Sequence, residues 1–263
     1  MALQQNKKEQ SEVMEVIPIQ TRLYDDTKDH ISFENKEQLI FVTSEYRPYV
    51  YMENGEIKGI VGEMMTTTLD EMGADYDILV YSWTRGQYLL DMGEIFGAFP
   101  YAITDARLEK YIFTDSMLDV KKAKDIFYYY SEDTQALSNL EFEDLQKYRV
   151  GGIGGYYYLD DLDQLGISYD LSSNEAECFK KLVEGRIDLF PIDERVGDDF
   201  IKRNYPELEQ NFHKSNLYFK AKNPGNYIML NKNHPLSERF TLAFNQMFYQ
   251  LRTTGKIYND FDE

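Results

Sequence analysis

The sequence predicts an α/β protein of two lobes joined by two crossover segments, and three observations carry that reading. Short apolar runs at 39–44, 76–81 and 98–103 alternate with helical stretches that close at Gly73 and Gly93. This is the strand-helix-strand order of a parallel sheet with right-handed crossovers. The second half repeats the logic: Leu89-Leu90 to Gly93 to Phe99-Pro100 is echoed by Leu182-Val183 to Gly185 to Phe190-Pro191. Finally, 263 residues are enough for two modest domains with a sizeable core.

Organised structure is predicted from Gln38. The run Leu39 to Ser44 is continuously apolar, as in strands covered on both faces, and Pro48 ends it, throwing Tyr46 and Tyr49 into a loop at its carboxyl end. Open α/β sheets place ligands at that end. Tyr51 to Ile60 reads as a hairpin around Asn54-Gly55, followed by a helix over 61–72, a strand over 76–81 with Trp83 just beyond it, and a helix over 85–92. Upstream, residues 1–11 read as a polar leader, 13–19 as strand-like and 24–36 as loop, so 1–37 forms an extension.

Further on, strands are predicted at 126–130 and 149–153, a short helix at 140–145, and a helix opened by Tyr156-Tyr157-Tyr158 after the Gly154-Gly155 turn. Ser172 and Glu175 have capping-box spacing for a helix with Ala176, Phe179 and Val183 on one face, which Gly185 ends. A strand over 187–192 finishes at Asp193, and a polar helix follows over 196–203. Extended chain at 217–222, a strand at 226–231 and a final helix with Phe240, Phe244, Met247, Phe248 and Leu251 on one core stripe complete the chain.

Composition narrows the function. With 46 acidic against 28 basic residues the formal charge is −18, which argues against nucleic acid or an anionic membrane as main partner. Cys178 is the single cysteine, so no intrachain disulfide or multi-cysteine metal site is available, and its helical setting predicts a buried, inert thiol. His30, His213 and His234 lack ligand spacing, so no metal and no cofactor are predicted. No apolar run reaches the ~18 residues of a membrane span, and the N-terminus lacks the ~7–15-residue apolar core of a signal peptide. Either the chain is cytosolic or a signal has been removed.

The stretch Gly97 to Asp115 carries the clearest chemistry. Thr104 or Asp105 can cap a short helix, and Arg107 two or three residues on can grip a carboxylate with two parallel bonds. Spacing alone leaves two readings of Arg107, an anion grip or an arginine on a solvated turn.

In their order and spacing, several signals resemble the family 3 extracellular solute-binding proteins, the polar amino-acid-binding group with the type II periplasmic binding fold. They are Tyr46-x-Pro48-Tyr49, the Asn54-Gly55 hairpin followed by Lys58 to Glu63, Trp83, Thr104-x-x-Arg107, Phe113-Thr114-Asp115, the turn at 151–155, and Gly185-Arg186-Ile187-Asp188 leading to Asp193. The likeness runs from Leu39 to the C-terminus. It implies lobes over 38–122 plus 224–263 and over 123–223, with crossings near 123–130 and 217–223. It also implies that Arg107 holds a ligand α-carboxylate and Asp193 its ammonium, between walls of Tyr46, Tyr49 and Trp83. A zwitterion needs one fixed cation and one fixed anion, and closure strengthens both by excluding water.

The sequence departs from that pattern where small hydroxyl residues are expected, at Pro100, Ala102 and Tyr156; Tyr101 and Tyr156 are candidates to supply the missing hydroxyls. On residue type alone, Asp193 also reads as a helix cap and Trp83 as core. The resemblance implies reversible binding of an amino acid or related carboxylate outside the cell by a monomer, with a small-molecule ligand and a transporter permease or a receptor as partners, no nucleic acid and no membrane insertion. The chain ends at Phe261-Asp262-Glu263, about where such a domain ends, which favours a free-standing protein over a sensor module. The same fold resembles cyclohexadienyl dehydratases, for which Glu45 and Glu194 are the acids available, but no catalytic residue is assigned. A partner-binding domain with a degenerate cleft is a third reading.

Overall fold

Alternation between apolar strands and glycine-terminated helices builds the first sheet. The computed structural model describes residues 38–118 and 123–257; the readings for 1–37 and for the C-terminal tail lie outside them. Strand β1 (Leu39–Thr43) leads through the hairpin β2 (Tyr51–Glu53) and β3 (Glu56–Lys58) to helix α1 (Ile60–Glu71). The hairpin turns at Asn54 and Gly55, whose φ values of 54° and 82° are the left-handed pair that a tight two-residue turn requires. Then come β4 (Tyr76–Val80), α2 (Trp83–Asp91), β5 (Gly97–Ile103), the short α3 (Asp105–Lys110) and β6 (Tyr111–Phe113). Strand β1 lies parallel between β4 and β5.

The second half opens with β7 (Asp125–Tyr130), a 3-10 turn at Phe142–Lys147, β8 (Val150–Ile153), α4 (Tyr158–Gln164) and β9 (Tyr169–Ser172). It continues with α5 (Glu175–Val183), β10 (Phe190–Asp193) and α6 (Glu194–Asn204), then a second 3-10 turn at Pro206–Asn211 and β11 (Phe212–Phe219). Strands β10, β7 and β11 form an antiparallel sheet, and β8 pairs with β9 in parallel. The chain then re-enters the first sheet as β12 (Asn223–Asn231) and ends in α7 (Ser237–Thr253). The first sheet thus has the order β4-β1-β5-β12-β6, with β12 antiparallel to both neighbours.

Apolar packing fixes these layers. Phe240, Phe244 and Phe248 stack along α7, and Phe240 meets Phe41 of β1 and Phe96 before β5, all at ring-centroid distances of 5.0–5.9 Å. Ring pairs of this kind add to the area they bury. Around the second sheet, Phe127, Tyr158 and Phe219 fill the core, with Tyr158 stacked on Phe219 at 5.9 Å. Cys178 is fully buried, and burial pushes its thiol up to about 12.

Several local expectations differ. Asn174, not Ser172, caps α5: its side chain accepts from the Glu177 N–H at 2.9 Å, while Ser172 ends β9 and accepts from the buried Lys181. The capping pattern was therefore two residues out of register, and the buried face of α5 is Glu175, Cys178, Phe179 and Leu182, with Ala176 exposed. Trp83 stands just beyond β4 as expected, but α2 begins at Trp83 and not at 85, because Ser82 caps that helix. The segment 140–145 is a 3-10 turn over 142–147, and the strand expected from 187 begins at 190.

Candidate functional site

The functional residues meet in one cavity of about 100 Å³ between the two main sheets. At roughly 10–15 Å³ of such space per water, it has room for several waters or a small polar solute. All eight residues singled out from the sequence, Tyr46, Tyr49, Trp83, Tyr101, Ala102, Arg107, Tyr156 and Asp193, line it.

Arg107 reaches the cavity because Thr104 caps α3, accepting from the Arg107 backbone N–H at 3.2 Å. Its guanidinium donates to the carbonyl oxygens of Ala102 at 2.9 Å and Gly155 at 2.6 Å, and lies 4.9 Å from the Tyr101 ring centroid. It is 8 % exposed, so the solvated-turn reading does not hold. No carboxylate pairs with it among the described residues, and burial lowers its proton affinity. A buried cation served only by carbonyls and a ring face is electrostatically incomplete, since desolvation costs more than neutral dipoles restore.

The opposite wall is acidic. Asp193, at the end of β10, caps α6 by accepting from the Arg195 and Val196 N–H groups at 3.0 and 3.2 Å, and the Tyr49 hydroxyl approaches both its oxygens at 3.2 Å. Cap and cavity wall are thus one residue. Directly across the antiparallel pair stands Asp125 of β7, whose carboxylate accepts from the Tyr157 hydroxyl. Asp193 is 5 % and Asp125 6 % exposed. Burial first, then the facing Asp193, pushes Asp125 up to about 7; burial pushes Asp193 up to about 6 against the Val196 N–H and the Tyr49 hydroxyl.

Aromatic rings join the charged ends. Tyr46 stacks on Tyr49 at 5.2 Å and meets the Trp83 edge at 5.5 Å, and Trp83 lies 5.4 Å from Tyr101 and 6.1 Å from Tyr156. The tyrosines do not replace the missing hydroxyls: Tyr101 donates to the Trp83 carbonyl at 2.6 Å and Tyr156 to Glu175 at 2.7 Å. Glu175 is itself buried, which raises its carboxyl above the usual range. Trp83 is both core and wall, and its buried indole N–H lies near the Glu175 carboxyl, which it helps hold down, without a well-formed hydrogen bond among the described residues. Where Phe99 and Pro100 fall, β5 shifts register against β12, a bulge that a residue lacking N–H accommodates at the cavity rim.

Sequence reasoning missed Asp125 and Tyr157. Asp125 immediately precedes the apolar run 126–130, but its position opposite Asp193 depends on pairing between segments far apart in sequence. The dehydratase candidates lie elsewhere: Glu45 is exposed and accepts from the Met52 N–H, and Glu194 pairs with Lys214 at 2.8 Å. No helix among the described residues is long and apolar enough to cross a membrane.

A cavity between two α/β sheets, with a buried cation at one end, buried carboxylates at the other and rings between, defines a binding protein for a small polar solute. The chain belongs to the bacterial extracellular solute-binding proteins, family 3, which match residues 39–260. No curated protein matches it in sequence. Solved structures share the fold at low identity. One is an amino acid ABC transporter substrate-binding protein from Streptococcus pneumoniae bound to L-arginine, 18% identical over 83% of this chain and 90% of that one, TM-score 0.69. Another is the arginine-, lysine-, histidine-binding protein ArtJ of Geobacillus stearothermophilus, 19% identical over 84% and 91%, TM-score 0.66. A histidine kinase sensor domain with similarity to periplasmic binding proteins is 17% identical over 83% and 92%, TM-score 0.71.

Proposed function

We propose that the protein reversibly captures an amino acid or a closely related amine-bearing carboxylate in this cavity and presents it to an ABC-type transporter outside the cytoplasmic membrane. The observation that carries the reading is the placement of a buried cation without a carboxylate partner, Arg107, in the same cavity as two buried carboxylates, Asp125 and Asp193. A zwitterion complements both ends at once, and enclosure strengthens each contact. The aromatic walls add apolar and cation–π contact to the solute's body. The lobes would be 38–122 plus 224–263 and 123–223, closing about the crossings near 123–130 and 217–223, with the protein acting as a monomer. The arginine-bound state of the pneumococcal protein supports an amino acid as ligand class.

Trp83 is the single tryptophan and lines the cavity, so its emission reports occupancy. Titration with the twenty L-amino acids, small carboxylates and simple amines is expected to change that emission and raise the melting temperature for at least one amino acid. At one hundred times Kd the stabilisation is about 2.7 kcal/mol. Silence from every amino acid in both measurements would sink the proposal.

A sensing role is the second reading, favoured by the likeness to the kinase sensor domain. Stimulation of ATP hydrolysis by a reconstituted transporter in the presence of the loaded protein supports delivery; its absence, with binding intact, supports sensing.

A further inference from the structure

Three of the cavity's aromatic walls stand close to right angles to one another. The ring planes of Tyr46 and Trp83 meet at 87°, those of Tyr46 and Tyr156 at 78° and those of Trp83 and Tyr156 at 87°, with centroids 5.5, 6.3 and 6.1 Å apart. The rings come from the loop after β1, the first residue of α2 and the turn after β8, and all three line the cavity. Perpendicular rings at this spacing have the proportions of one corner of an aromatic cage, in which a cation lies within about 6 Å of each centroid. Two further rings pack behind the corner: Tyr49 stacks on Tyr46 at 20°, and Tyr101 stands at 89° to Trp83.

The polar tips of these walls are engaged with the protein. The hydroxyls of Tyr49, Tyr101 and Tyr156 donate to Asp193, to the Trp83 carbonyl and to Glu175, and the Trp83 indole N–H lies near the same Glu175 carboxyl. One buried carboxylate thus backs two of the three rings, and its charge adds to the negative potential that a cation meets at their faces. A primary ammonium brings three N–H donors into a buried site, and each costs free energy unless an acceptor receives it. Ring faces are weak acceptors. An N-methylated ammonium instead presents diffuse charge and apolar surface, which aromatic cages recognise. Asp193 and Asp125, in the same cavity, supply the opposite charge and accept whatever N–H remains. A cavity of about 100 Å³ suits a compact head group on a short spacer.

We propose that the preferred solute is an N-methylated amino acid, with its carboxylate on Arg107 and its methylated ammonium in the corner of Tyr46, Trp83 and Tyr156. This rests on the reading that the cavity binds an amino acid or a closely related amine-bearing carboxylate. The acids select for positive charge and the rings for methyl groups. Along glycine, sarcosine, dimethylglycine and glycine betaine the carboxylate and the positive charge stay constant, and only the number of methyl groups changes. Affinity rises along that series.

The test is calorimetric titration of the wild type, Tyr156→Phe and Tyr156→Leu with these four solutes and with the twenty protein amino acids. In the wild type, glycine betaine is expected to bind at least about tenfold more tightly than glycine. Tyr156→Leu, which removes one ring of the corner, is expected to cut that ratio to about threefold or less, whereas Tyr156→Phe, which keeps the ring and loses the hydroxyl, is expected to keep most of it. Tyr46→Leu carries the test if Tyr156→Leu does not fold. Affinity that falls with each added methyl, a ratio unchanged by loss of the ring, or a protein amino acid bound more tightly than every methylated solute overturns the assignment and leaves the binding of an amine-bearing carboxylate standing. A wild type that binds neither the series nor any of the twenty overturns both.

Discussion

The Arg107 guanidinium donates to the Gly155 carbonyl oxygen at 2.6 Å, joining the helix after β5 of the first sheet to the glycine turn after β8. The guanidinium therefore bridges the two sides of the cavity, one nitrogen on Gly155 and the other on Ala102. Removing this side chain is expected to leave the protein folded and to weaken binding strongly. Arg107→Ala should retain its circular dichroism spectrum, whereas ligand-induced thermal stabilisation should shrink at a given ligand concentration, with affinity down by roughly tenfold to hundredfold for the lost charged contact. Unchanged binding in this variant overturns the role of Arg107 as the anion anchor.

Gly155 has φ +91°, and a Cβ there would stand 2.9 Å from the Trp83 Cβ and 3.4 Å from the Thr84 nitrogen. Gly155→Ala is expected to push the turn away from the start of α2 and lengthen the Arg107 contact. Strain of about 1–3 kcal/mol follows from the left-handed backbone alone. The melting temperature should drop, and Trp83 emission should shift in the ligand-free protein. A variant with wild-type melting and emission contradicts the close approach.

The acidic wall sets the pH dependence of stability in the ligand-free protein. Asp125 and Asp193 are raised from 3.8 to about 7 and about 6, so between about pH 4 and 7 the folded state binds more protons than the unfolded chain. Stability from these groups therefore falls as pH rises through that window. Lowering the pH from 8 to 5.5 is expected to raise the melting temperature by a few degrees, at about 2–4 °C per kcal/mol. Asp125→Asn should flatten the dependence. The opposite slope, unchanged in Asp125→Asn, rules the pair out as its origin.

Tyr49 links the loop after β1 to Asp193. Tyr49→Phe removes a hydrogen bond to a carboxylate, worth about 1.5–3 kcal/mol when that group is ionised. The loss should be larger at pH 8 than at pH 5, because Asp193 is protonated below about 6. Denaturant unfolding at the two pH values measures the difference; equal losses would show that Tyr49 contributes through packing alone.

Much of this was legible locally. The apolar run 39–43, the Asn54-Gly55 turn and the Phe240 to Leu251 stripe specify their elements through periodicity and backbone preference, which act over a few residues. Thr104 and Arg107 are likewise close enough for a cap to orient the guanidinium. The α5 cap was misread because Ser172 and Asn174 are both competent caps; pairing of β9 with β8 claims Ser172 for the strand.

By itself the sequence determined the α/β class and the strong acidic balance and singled out Arg107, because these depend on composition and short spacings, while its burial came from the fold. Only the tertiary structure decided which acids face that arginine. Asp125 and Asp193 are 68 residues apart and become neighbours through the β7–β10 register, and Tyr157 reaches Asp125 only once the turn after β8 has folded back. Chain periodicity specifies which face of a strand a residue occupies, but not which distant strand pairs with it. That choice rests on the summed packing of the whole core, so the second carboxylate of the site appears only in the folded molecule.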